Sequence, residues 1–190
     1  MDKKIIFLTS LILAIIFLSA YQSMIESNST DENLSIRETK ITLAGISLGD
    51  TIDDVEAELG KDYIIERIDD SGWWGEPVAH LFYDNDMEIV IGDESGQVLQ
   101  INLNSSRYTT NNGDKVGDTA EKVLPFYQEK YSLAKDHFEG NELLGWFVVD
   151  EDERVWLIFN FNNDGSMINY TIDPNEKVQS IHMVYERFMH

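Results

Sequence analysis

An eleven-residue pattern occurs twice in this chain. Gly45-Ile-Ser-Leu-Gly49-Asp50-Thr51-Ile-Asp53-Asp-Val55 returns 68 positions later as Gly113-Asp-Lys-Val-Gly117-Asp118-Thr119-Ala-Glu121-Lys-Val123, with both glycines, the Asp-Thr pair, an acid and the valine in register. Internal repetition constrains a fold more than composition does, because each copy meets the same local problem and the copies must then bury their apolar faces together. The second glycine permits a tight turn, Asp or Thr can cap a helix, the acid suits a helix N-terminus, and Val begins an apolar face. Each copy is therefore expected to open a short helix. The first should stop at Gly60, and the second, on meeting Pro125, should kink or break into two short turns around Phe126 to Tyr131.

Runs with strand character follow each helix start. After the first they are Ile64 to Ile68, Val78 to Tyr83, Met87 to Ile91 and Val98 to Leu103, separated by turn-forming clusters. After the second they are Trp146 to Val149, Val155 to Phe161, Met167 to Ile172 behind the Asn162-Asn163-Asp164-Gly165 turn, and Val178 to Met183. The fold class expected is α+β, with two tandem helix-plus-antiparallel-meander repeats (residues 41–104 and 105–190) forming a single globular domain, the helices on one face of the sheet.

Ahead of this lies a different kind of sequence. Lys3 and Lys4 precede residues 5–25, a run of 21 without charge that begins with a strongly apolar stretch. This is the pattern of a signal peptide, and it is also long enough, at about 20 residues, for a helix to cross a bilayer. Cleavage after Ala20 would leave Leu18 where a small residue is preferred, which favours an uncleaved signal anchor. The lysines keep the N-terminus inside, so the expected location is the cell membrane, single-pass with the C-terminal domain extracytoplasmic, or secreted if the signal is cleaved. Residues 26–40 have no apolar period and read as a linker.

The charge balance narrows the partners. Fourteen Lys and Arg against 35 Asp and Glu give a net charge of −21 on a chain whose 43% apolar content is that of a folded protein. Nucleic acid and anionic lipid headgroups are excluded as partners by like charge, so the membrane is engaged only through the N-terminal helix. With no cysteine, disulfides, thiolate zinc sites and a cysteine nucleophile are excluded as well.

Motifs with chemical content have simpler explanations. Gly45-x-Ser47-x-Gly49 matches a nucleophile elbow, but the second copy keeps the glycines and has Lys115 in place of the serine. Asn160-x-Asn162-x-Asp164-Gly165 begins like a calcium loop and then has Thr171 where a bidentate Glu belongs. Asp84-Asn-Asp86 and Asp150 to Glu153 are the remaining candidates for weak Ca²⁺ binding. His80, His137 and His182 lack the spacing of a metal pair and read as structural. No catalytic residue, resident metal or cofactor is implied. Trp73 and Trp74, in a loop bounded by Gly72, Gly75 and Pro77, are the candidate binding residues, because two adjacent rings in such a loop cannot both easily turn inward.

Taken with the meander strands, the Gly45, Gly49, Asp50, Thr51, Val55, Leu59 and Gly60 pattern resembles the tandem repeat shared by β-lactamase-inhibitor protein and the SmpA/OmlA lipoproteins. It is nearer still to the CAP-associated domain of extracytoplasmic proteins in Gram-positive bacteria; Tyr83, Ile91, Val98 and Leu103 extend the likeness, which covers about residues 40 to 188. Lys61 stands where that family usually has Pro, and no CAP domain follows Phe188. The resemblance implies a non-catalytic cell-envelope binding module whose partner is a protein or an envelope component. The alternatives are an inhibitor of a secreted hydrolase and a carboxylate-dependent hydrolase.

Overall fold

The chain's glycine turns set the geometry of everything that follows them. Gly49 and Gly117 take φ of 85° and 90°, a region that side chains disfavour, and donate their N–H groups to Val98 O (2.9 Å) and Val178 O (2.8 Å). Asp50 and Asp118 then accept from Ser47 N at 2.8 Å and Lys115 N at 3.1 Å. The computed structural model in which these turns occur describes residues 40–70 and 72–189. The expected signal or anchor segment, and the 26–40 linker up to residue 39, lie outside the described residues.

Thr51 closes a capping box with Asp54 and starts α1 (Ile52–Leu59), which ends at Gly60 as expected. Thr119 precedes α2 (Ala120–Lys130) without a side-chain cap; the first N–H groups bond instead to Glu176 O at 2.8 Å and Pro174 O at 2.9 Å, so the following loop supplies what a cap would. The break expected at Pro125 does not occur, and α2 runs through it as one helix. The reason is tertiary: Ala120, Val123, Leu124 and Tyr127 are all buried, and the Tyr127 ring lies 5.6 Å from Phe147 and 4.8 Å from Phe159. Packing of this kind outweighs the one backbone bond that proline removes.

The strands are β1 (Ile64–Ile68), β2 (Val78–Tyr83), β3 (Met87–Gly92), β4 (Val98–Leu103), β5 (Ser132–Lys135), β6 (Glu142–Asp150), β7 (Val155–Asn160) and β8 (Ser180–Tyr185). They form one antiparallel sheet in the order β1-β2-β3-β4-β8-β7-β6-β5, joined across its middle where Gln100 to Leu103 pair with Val184 to Ile181. This corrects the expected architecture of two helix-plus-meander repeats with helices on one face. The strand runs merge into a single eight-stranded sheet that dominates the fold, and helices of eight and eleven residues are too few and too short to make a helical layer. Only Val55 of α1 is buried.

The expected strand at Met167 to Ile172 is also absent: this segment makes a lone bridge, Leu144 to Asn169. Its pairing is replaced by a side chain, because buried Asn169 donates to Leu144 O (2.8 Å) and Phe159 O (2.9 Å) and accepts from Phe161 N (2.9 Å). The amide thus takes over bonds that a ladder would otherwise make.

Strand alternation sends two sets of side chains to opposite faces. Leu81, Ile89, Ile101, Met183, Leu157 and Phe147 project to the first face, where Leu43, Ile46, Leu48, Val55 and α2 complete the main core. The second face is covered by far less chain, chiefly the short 3-10 turns Gly72–Trp74 and Glu186–Phe188 and the loop around Met167.

Candidate functional site

Two apolar groups sit on the second face. One comprises Val78, Val90 and Leu99 beneath Trp74 and Phe188. The other comprises Ala134, Trp146, Trp156, Ile158 and Val184 beneath Met167, Phe188 and Met189. Trp74 is half-buried, its ring 4.9 Å from Phe188, whereas Trp73 is 70% exposed. The two candidate residues therefore differ in kind: Trp74 is part of the sheet's cover, and Trp73 stands above it.

A cleft of about 260 Å³ opens there, lined by Trp73, Trp74, Gln100, Met167, Phe188 and Met189. A second, of about 220 Å³, shares Met189 and is lined chiefly by Phe138, Leu143, Trp146, Trp156 and Ile168. Phe138 is 95% exposed, and the His137 ring stacks on Trp156 at 5.7 Å. Exposed rings and adaptable methionines, with Gln100, Asp136 and His137 as the polar lining residues, make a surface suited to apolar contact. Beside it, Arg154 forms a bidentate pair with Glu186, and the Arg187 guanidinium lies over the rings of Tyr185 (4.3 Å) and Phe188 (4.8 Å).

The same face holds a polar ladder that sequence reasoning missed. Glu88, Asn102 and His182 are cross-strand neighbours on β3, β4 and β8. Asn102 donates to Glu88 Oε2 at 2.7 Å, while its Oδ1 accepts from Gln100 Nε2 at 2.7 Å and from His182 Nδ1 at 2.8 Å. That leaves His182 Nε2 to accept from the Ser180 hydroxyl at 2.7 Å. His80 Nδ1 completes the ladder, 2.6 Å from Glu88 Oε1. Burial pushes the His182 pKa down to about 4, against the opposing charge of Glu88. The signal was there to read, since His80, Glu88, Gln100, Asn102, Ser180 and His182 occupy alternating positions of otherwise apolar strands; only the pairing of β4 with β8 was missing.

The order Ser180, His182, Asn102 is that of a hydrolytic relay, yet neither Ser180 nor His182 lines the two clefts on this face. In this position the ladder's evident effect is to fix strand register. Ser47 is buried behind its turn at 8% exposure. In the loop that resembles a calcium site, Asn160 accepts from Asn162 N and Asp164 from Ser166 N; Asp84 and Asp86 lie 3.2 and 3.4 Å from Arg107. Among the described residues no group of three His, Asp or Glu is placed to hold a metal ion.

No protein-family model matches this chain, and searches of curated proteins and of solved structures find no match either.

Proposed function

We propose that this protein is a membrane-tethered or exported binding module of the cell envelope that recognises a protein or envelope component, without catalysis, through the aromatic surface on the second face of its sheet. The observation that carries this reading is the surface centred on Trp73 and Phe138, 70% and 95% exposed and bordering two clefts joined at Met189. Large rings have few rotatable bonds and lose little freedom on binding, and residues of this kind dominate interfaces. The uncharged run of residues 5–25 supports placing the domain outside the membrane.

Crosslinking on intact cells from a photoreactive residue at position 138 tests the reading, with position 121 on the outside of α2 as control. Adducts confined to position 138 support it. Equal adducts at both positions, or none at either, overturn it. Fractionation and N-terminal sequencing test the tether: the full chain should remain with membranes, and a mature N-terminus near Tyr21 in the medium would refute the anchor.

A further inference from the structure

The sheet's two edges are built differently. β5 is four residues long, its pairing with β6 is interrupted between Leu133 and Lys135, and its last residue is a lysine; shortness, irregularity and lysine all discourage another strand from adding to an edge. β1 is one residue longer and has neither the irregularity nor the lysine. It pairs regularly with β2 through all five residues, every one of them is exposed, and three are isoleucines, at 68%, 42% and 46% exposure for Ile64, Ile65 and Ile68. An exposed regular edge with apolar side chains on both faces offers a row of backbone donors and acceptors together with apolar area.

Charge selects what could occupy it. Residues 41–190 hold thirty of the 35 carboxylates and ten of the 14 cations, so a second copy would approach against strong like charge. Around β1 the carboxylates are Asp62, Glu66, Asp69 and Asp70. The nearby cations are already engaged, Lys61 with Glu56 at 2.5 Å and Arg67 with Asp93.

We propose that β1 is a receiving edge, to which an extended protein segment alternating apolar and basic side chains adds as a ninth strand. Its backbone pairs with β1, its cations meet Glu66 and the carboxylates at either end of the strand on the face that carries Ile64 and Ile68, and its apolar side chains cover Ile65 on the other face. This rests on the domain being a binding module but does not require the aromatic surface to be the contact.

The probes are two nine-residue peptides, one alternating valine with lysine and one alternating valine with glutamate, titrated calorimetrically into the protein with amide exchange followed by NMR. The lysine peptide should bind, protect amides within residues 64–68, and weaken as salt rises. The glutamate peptide should not bind. Glu66→Lys and the double change Ile64→Lys with Ile68→Lys, all at exposed positions, should each weaken binding about tenfold or more, while unchanged exchange in β3 shows that the fold is kept. Absence of binding, protection only at residues outside β1, or self-association through β1 would each overturn the proposal. If Trp73→Ala abolishes binding of the lysine peptide and the β1 changes do not, strand addition fails and the aromatic-surface reading survives.

Discussion

Acidification should unfold this domain in part through one histidine. His182 sits in the ladder as an Nδ1–H donor to Asn102 and an Nε2 acceptor from Ser180, and burial pushes its pKa down to about 4 from the roughly 6.5 of an unfolded chain. The native state thus binds this proton less readily than the unfolded state. The stabilisation is complete above the unfolded pKa and is lost as the pH falls through the folded one. At about 1.4 kcal/mol per unit, the loss is on the order of 2 kcal/mol between pH 7 and pH 5 and on the order of 3 below pH 4. That is a large share of the ~5–15 kcal/mol holding such a domain together. Carboxylates titrate over the same range, so the measurement is a difference: urea unfolding of the wild type and of His182→Gln at pH 7 and pH 5. The variant should be less stable at pH 7 but should lose about 2 kcal/mol less than the wild type on acidification. Equal losses, or an NMR titration placing His182 near 6.5, would refute the reasoning.

Other substitutions probe packing and backbone. Gly145 has φ of 80°, and a methyl group there would meet Asn169 Nδ2 and Phe159 O at 2.9 Å; Gly145→Ala should lower stability by about 2 kcal/mol or more in chemical unfolding. Trp73→Ala should change stability by less than about 1 kcal/mol, whereas Trp74→Ala, which removes a ring packed on Phe188, should cost roughly 2–3, both read by thermal unfolding. Tyr127→Phe leaves the buried Asp114 carboxylate without the hydroxyl that donates to it at 2.9 Å, and should cost about 1–3 kcal/mol in the same assay.

The first four strands were legible from the sequence almost to the residue, because Val78–Tyr83, Met87–Gly92 and Val98–Leu103 are apolar runs closed by strong turn formers, and runs of that kind leave the chain few choices. The glycine turns were legible for the same local reason. What failed was non-local. Pro125 read as a breaker because sequence cannot show Tyr127 locked between Phe147 and Phe159. The segment from Met167 to Ile172 read as a strand because it follows the Asn162-Asn163-Asp164-Gly165 turn, while a single side chain, Asn169, had taken over the pairing. The architecture was misjudged because nothing in either half announces that β4 and β8 meet, and that pairing makes one sheet of two strand runs. Of the candidate site, the exposed tryptophan was foreseeable from its loop; Phe138, Phe188 and Met189 join it only through the sheet's geometry.

The entry of the chain into the domain has a mechanical meaning. Thr42 exchanges contacts with Asn111, as acceptor to its N–H at 3.1 Å and donor to its Oδ1 at 3.4 Å, and Ala44 N reaches Thr109 O at 2.9 Å. The strap at 109–111 is the connection between the two strand runs, so the first residues of the domain are buttoned to its midpoint. A load applied at the N-terminal end of the domain would thus arrive at the connection between β4 and α2, and not at the outer strand β1. A partner held at that outer edge would then be insulated from tension until the buttons at Thr42 and Ala44 give way.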